Sequence, residues 1–176
     1  MSRPTIVLGL GNPLMGDDGA GLAALEALRW AYNFSAGVQL EDGGALGLAL
    51  LPLVEEAGSL LVLDAVSFGG LPGTTVLREG EDIPRCLSLK LSPHQSGFVE
   101  TLALAALRGN LPPRLALIGV EIAAARYAEP LSLEVRAALP TMVTTAVAKL
   151  ESWGCPCCPA APLDDAGMAQ RELKWL

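Results

Sequence analysis

The stretch GLGNPLMGDDGAG, residues 9 to 21, constrains this chain more than any other. It directly follows the apolar run Thr5-Ile-Val-Leu-Gly and directly precedes a helical pattern. A glycine-rich turn between strand and helix normally suits phosphate, because backbone N–H groups and the helix N-terminus attract an anion. Here the turn ends in Asp17 and Asp18. These carboxylates repel a phosphate where a P-loop places Lys and Ser or Thr. Gly9 and Gly11 fit the start of a dinucleotide fingerprint, but Gly16 falls too late to complete it. An acidic turn at the end of a strand suits a cation or general acid–base chemistry better.

The rest of the chain supplies more strands and helices in alternation. Thr5 to Leu10 reads as a buried parallel strand, because it is a short apolar run ahead of a glycine turn. A helix is expected from Asp18 to about Tyr32. A second strand follows over Val38 to Glu41, then an Asp42-Gly-Gly turn and a second helix from Leu46 to Glu56. SLLVLD, Ser59 to Asp64, is a third strand closed by an acid. Thr74 to Arg78 is a fourth, after the Pro72-Gly73 turn, and its hairpin-like placement suggests one antiparallel member. Glu79 to Leu91 reads as irregular or partly extended. Ser92 suits the N-cap and Pro93 the first turn of a helix running to about Arg108. Leu115 to Glu121 is the fifth strand. Ser132 caps the last helix, which runs to Ser152 and should be kinked or divided at Pro140. This order predicts an α/β, three-layer sandwich: a mostly parallel five-stranded sheet with helices on both faces.

Composition narrows the function. The chain is 51% hydrophobic but only 5% aromatic, so its core must be aliphatic. A net charge of −7, with basic residues scattered singly, argues against nucleic acid as a partner. Met1-Ser-Arg-Pro leads into a run too short and too glycine-rich for a signal or a membrane span. The expectation is a soluble, cytoplasmic chain, compatible with a monomer. We read residues 1–153 as one domain and 154–176 as a loosely ordered tail rich in Cys, Pro and small residues. Its Cys155, Cys157 and Cys158 lack the paired CxxC spacing of a zinc site. Its closing RELKWL suits one docking helical turn.

Ligands of open α/β sheets bind at the carboxyl ends of the strands. Asp17 and Asp18 fall there after the first strand, Asp42 after the second and Asp64 at the end of the third. His94, the only histidine, opens a helix. Each has a bland reading alone: a surface histidine, a turn cap, an acid complementing a helix dipole. Taken together, two carboxylates and one imidazole from separate loops make a hard-to-borderline metal site and an acid–base set for hydrolysis. Other catalytic sets fit poorly. No GxSxG or HExxH occurs, and Cys86 has no supporting pattern around it.

GLGNPLMGDDGAG, EDGG at 41–44, LVLDAV at 61–66, SPHQSG at 92–97 and LIGVEI at 117–122 stand in order and at fitting separations. Together they resemble the hydrogenase maturation endopeptidases, over about residues 4–150. The resemblance implies a twisted, mostly parallel five-stranded sheet between helices. It implies an aspartic-type endopeptidase whose substrate is the precursor of a nickel–iron hydrogenase large subunit, with nickel already inserted. One cut removes a short C-terminal extension. The family's metal-contacting residues carry over to Asp18, Asp64 and His94. The first is often Glu in the family, so Asp18 sits one methylene shorter; Asp17 is the reserve candidate. Asp42, Gly43 and Gly44 would line the substrate cleft. The nickel would come with the substrate rather than stay on the enzyme. A non-proteolytic nickel-sensing chaperone of the same precursor would use the same ligands. A nucleotide-binding domain is opposed by the Asp17-Asp18 pair.

Overall fold

The computed structural model describes residues 3–80, 82–83 and 93–161. Its strands are β1 (Thr5–Leu10), β2 (Tyr32–Phe34), β3 (Val38–Gly44), β4 (Ser59–Val66), β5 (Thr75–Glu79), β6 (Arg114–Glu121) and β7 (Cys157–Pro159). Its α-helices are α1 (Ala20–Ala31), α2 (Leu51–Glu56), α3 (Pro93–Leu107) and α4 (Leu133–Ser152). Five strands form one sheet in the order β3-β1-β4-β6-β5. The pairs β3–β1, β1–β4 and β4–β6 are parallel, whereas β5 runs antiparallel to β6 at the edge.

The three central strands are apolar runs because both of their faces are covered. Every residue of β1 and β4 is buried, and all of β6 after Arg114. Alternate side chains serve opposite layers. Val7, Leu61, Leu63 and Ile118 meet Leu25 and Leu28 of α1 and Ala146 and Leu150 of α4. Ile6, Leu8, Leu60 and Val62 meet Val54 of α2 and Phe98 and Leu102 of α3. The expected sandwich is therefore present, with its one antiparallel strand. Among the described residues no helix is long and apolar enough to cross a membrane.

Several local expectations are corrected. Gly16–Gly19 forms a 3-10 turn, so α1 begins only at Ala20. Tyr32 is extended and opens β2 instead of closing α1. Asp42 and its glycines continue β3 rather than turning. Gly9 pairs with Asp42 and Leu10 with Gly44, leaving Gly43 as a bulge. The second helix is split into a 3-10 turn, Gly47–Leu50, and α2. Helix α4 runs undivided through Pro140, with the Ser132 hydroxyl accepting from the Val135 N–H at its cap. Part of the segment read as a tail is paired: Cys157–Pro159 lies antiparallel to Tyr32–Phe34. Residues 162–176, with RELKWL, lie outside the described residues, as do Cys86, the Ser92 cap and most of the segment expected to be irregular.

Candidate active site

The glycine-rich turn owes its shape to close backbone approach. A Cβ on Gly21 would stand 2.3 Å from the Leu63 carbonyl oxygen and 2.4 Å from that of Leu10. The start of α1 is thus pressed against the ends of β1 and β4, which no side chain at that position would allow. Gly11 has φ +123°, and a Cβ there would meet the Asp18 carbonyl oxygen at 1.9 Å. The loop therefore folds back on itself and delivers Asp18 to the carboxyl edge of the sheet.

Asp18 is buried, and its Oδ2 accepts the Asn12 backbone N–H at 3.0 Å. Asp64 is fully buried near the end of β4, and its Oδ1 accepts the Ala65 N–H at 2.8 Å. Leu63 pairs with Gly9, so Asp64 lies at the level where β1 gives way to the glycine-rich loop. Asp64 shares its strand parity with Leu60 and Val62, which face α2 and α3. Both carboxylates thus accept backbone donors, Asp18 in the 3-10 turn of the loop after β1 and Asp64 near the end of the adjacent β4.

His94 lies in the first turn of α3. Its side chain is outside the described residues, but its turn is placed by a glycine contact. A Cβ on Gly97 would stand 3.0 Å from Gly47 Cα, so α3 abuts the 3-10 turn that follows β3. The Gly11 N–H in turn donates to the Gly44 carbonyl at 3.0 Å, tying the loops after β1 and β3 together. Asp42 is exposed at the end of β3, Gly43 is buried and Gly44 half-buried with φ +43°. The glycine at 43 has a packing reason, since a Cβ would stand 2.7 Å from Leu8 Cδ1. Among the described residues no three His, Cys, Asp or Glu side chains gather as metal ligands. Asp18 and Asp64 are hard oxygen donors, and an imidazole would complete a borderline set able to hold a divalent ion or move protons.

Asp17, the reserve candidate, is structural. Its Oδ1 accepts the Ser132 N–H at 2.6 Å, and its Oδ2 accepts the Ala123 N–H and the Ser132 hydroxyl, both at 3.0 Å. The Ala124 N–H adds a fourth bond at 3.4 Å. A second buried acid, Glu121, escapes the site prediction. It accepts from the Ser67 hydroxyl at 3.0 Å and from the Phe68 and Gly70 N–H groups at 2.7 and 3.3 Å. It thereby shapes the loop leaving β4. Its signal in the sequence is the one Asp64 gives, an acid ending an apolar strand.

A family model described as hydrogenase maturation protease matches residues 22–149, a span that includes Asp64 and His94 but not Asp18. A hydrogenase expression/formation protein, HupD of Rhizobium leguminosarum bv. viciae, is 41% identical over 151 residues, covering 85% of this chain and 75% of the relative. The hydrogenase 2 maturation protease of Escherichia coli K12 is 36% identical over 116 residues, covering 65% and 71%. Among solved structures, the hydrogenase maturating endopeptidase HybD from E. coli superposes with a TM-score of 0.85 at 30% identity, over 89% of this chain and 97% of that one.

Proposed function

The chain belongs to the hydrogenase maturation protease family and is a peptidase, and from that premise we propose that it cuts a nickel-loaded precursor of a nickel–iron hydrogenase large subunit, removing a C-terminal extension. The substrate's nickel is the recognition element. Asp18, Asp64 and His94 contact it, and that contact sets the scissile bond in the crevice at the carboxyl edge. A bound divalent ion polarises a carbonyl or a water beside it. Residues 42–44 line the path of the extended peptide. Requiring both nickel and peptide rejects an unloaded precursor, which lacks one anchor.

What supports this reading is the pair of buried carboxylates, Asp18 in the loop after β1 and Asp64 near the end of the neighbouring β4, with the start of α3 packed at Gly97 on the 3-10 turn that follows β3. Two acids, with no serine or cysteine nucleophile pattern in the chain, support aspartic-type chemistry. The test is a gel-shift processing assay on the precursor with and without nickel, by the wild type and by His94→Ala. Cleavage of the loaded form alone, and by the wild type alone, is expected. Equal cleavage of both forms would overturn the nickel step, and full activity of His94→Ala would overturn the site.

A further inference from the structure

Large apolar side chains scattered singly on a surface are ordinary. Leu14 and Tyr127 are different, because the two loops that carry them are bonded to each other. Leu14 lies in the loop that delivers Asp18, and is 61% exposed. Tyr127, in the loop between β6 and α4, is 74% exposed. The Ala128 N–H donates to the Leu14 carbonyl at 2.8 Å, bringing Tyr127 to the backbone level of Leu14. Asp17 holds the same loop at Ala123, Ala124 and Ser132. Gly16, at φ +58°, leaves room for the Arg126 carbonyl, which a Cβ would meet at 3.3 Å. Ala128 itself has φ +58°, rare for a residue with a Cβ and sustained only where the surroundings hold it.

An exposed aromatic ring on a strained loop, clamped to the loop that carries a site acid, has the character of a binding anchor. Tyr is enriched among residues that dominate interface energies, and pre-ordered loops lose little entropy on binding. We propose that Tyr127, with Leu14 on the loop bonded to its own, is a specificity-determining contact for the folded body of the precursor. An apolar patch next to the precursor's scissile tail seats on Tyr127 while the tail enters the crevice. The inference rests on the substrate proposed above. Its occupant follows from continuity, since Leu14 and Asp18 share one loop.

The test compares the wild type with Tyr127→Ala, Tyr127→Phe, Leu14→Ser and the control Leu107→Ser. Leu107 is 85% exposed but sits at the far end of α3. Steady-state processing of loaded precursor is measured beside calorimetric binding. Tyr127→Ala should raise KM and Kd roughly tenfold with kcat kept, Leu14→Ser somewhat less, and Tyr127→Phe should restore both. Leu107→Ser should match the wild type. Values for Tyr127→Ala within twofold of the wild type would overturn the proposal. So would a fall in kcat at unchanged KM, which would make the loop a support for Asp18. A wild type that binds the precursor without cutting it would sink the function reading, while the Kd comparison would still decide this one.

Discussion

Asp17 and Asp18 are neighbours in the chain, and their carboxylates serve different loops. Asp17 accepts four hydrogen bonds from residues 123, 124 and 132, while Asp18 accepts the Asn12 N–H within its own loop. The first ties the loop after β6 to the glycine-rich loop, and the second closes that glycine-rich loop on itself. Substitution should separate these duties. Asp17→Ala strips a charged acceptor from four part-buried hydrogen bonds and should cost roughly 3 kcal/mol or more of stability, since each bond to a charged group contributes about 1.5–3 kcal/mol. Asp18→Ala should abolish processing. Urea unfolding beside the processing assay reads both. Full processing by Asp18→Ala, or an unchanged stability of Asp17→Ala, would overturn the assignment.

Gly97 and Gly47 set how close the His94 turn comes to the loop after β3. A methyl at Gly97 would press on Gly47 Cα from 3.0 Å. Gly97→Ala gains helix propensity, up to about 1 kcal/mol, which offsets much of the roughly 1–3 kcal/mol of overpacking. The net change in stability should therefore be small. Activity should suffer more, because misplacing a catalytic group by about 1 Å costs on the order of a hundredfold. Thermal melting and kcat on the same preparation check this. Unchanged kcat would show that the contact does not position His94.

The sequence made the central sheet readable because β1, β4 and β6 are continuous apolar runs, a pattern that only strands covered on both faces require. It hid β2 and β7, since YNF and CCP are three residues each and find one another across the whole domain. The positions of Asp18 and Asp64 were legible to within a few residues, as acids beyond the first strand and near the end of the third apolar run. The duty of Asp17 was not, because its partners lie 106 to 115 residues away in a loop without a pattern of its own. Asp42 looked like a turn residue because Asp-Gly-Gly is turn chemistry. The register with β1 overrides that local preference and carries the strand to Gly44.

The three C-terminal thiols should differ in reactivity. Cys158 is exposed, whereas Cys157 is half-buried and packs toward the α1 side of the core. Burial raises the Cys157 pKa, and Glu151 and the neighbouring cysteines add to the rise. A raised pKa means less thiolate at a given pH, and thiolate is the reactive form. Alkylation at pH 8 followed by peptide mass mapping should therefore modify Cys158 before Cys157. The neutral Cys157 thiol therefore adds stability that is complete below the ordinary thiol pKa and is lost as pH rises through the raised one. The β2–β7 pairing should loosen in alkali, and faster labelling of Cys157 than Cys158 at pH 8 would contradict this environment.

Ser59 opens β4 at the end of the sheet away from Asp64. It is fully buried, and its hydroxyl finds no hydrogen-bond partner among the described residues. A buried donor left without a partner costs about 1–3 kcal/mol. Ser59→Ala removes that hydroxyl, keeps the Cβ and leaves the backbone pairing with Thr5 and Arg114 in place. The variant should be more stable by about 1 kcal/mol, a rise of roughly 2–4 °C in Tm for a chain of this size. Processing should be unchanged, because almost the whole of β4 separates the substitution from the crevice. A fall in Tm would mean that the hydroxyl holds a buried water, and the contribution of Ser59 would then reverse in sign.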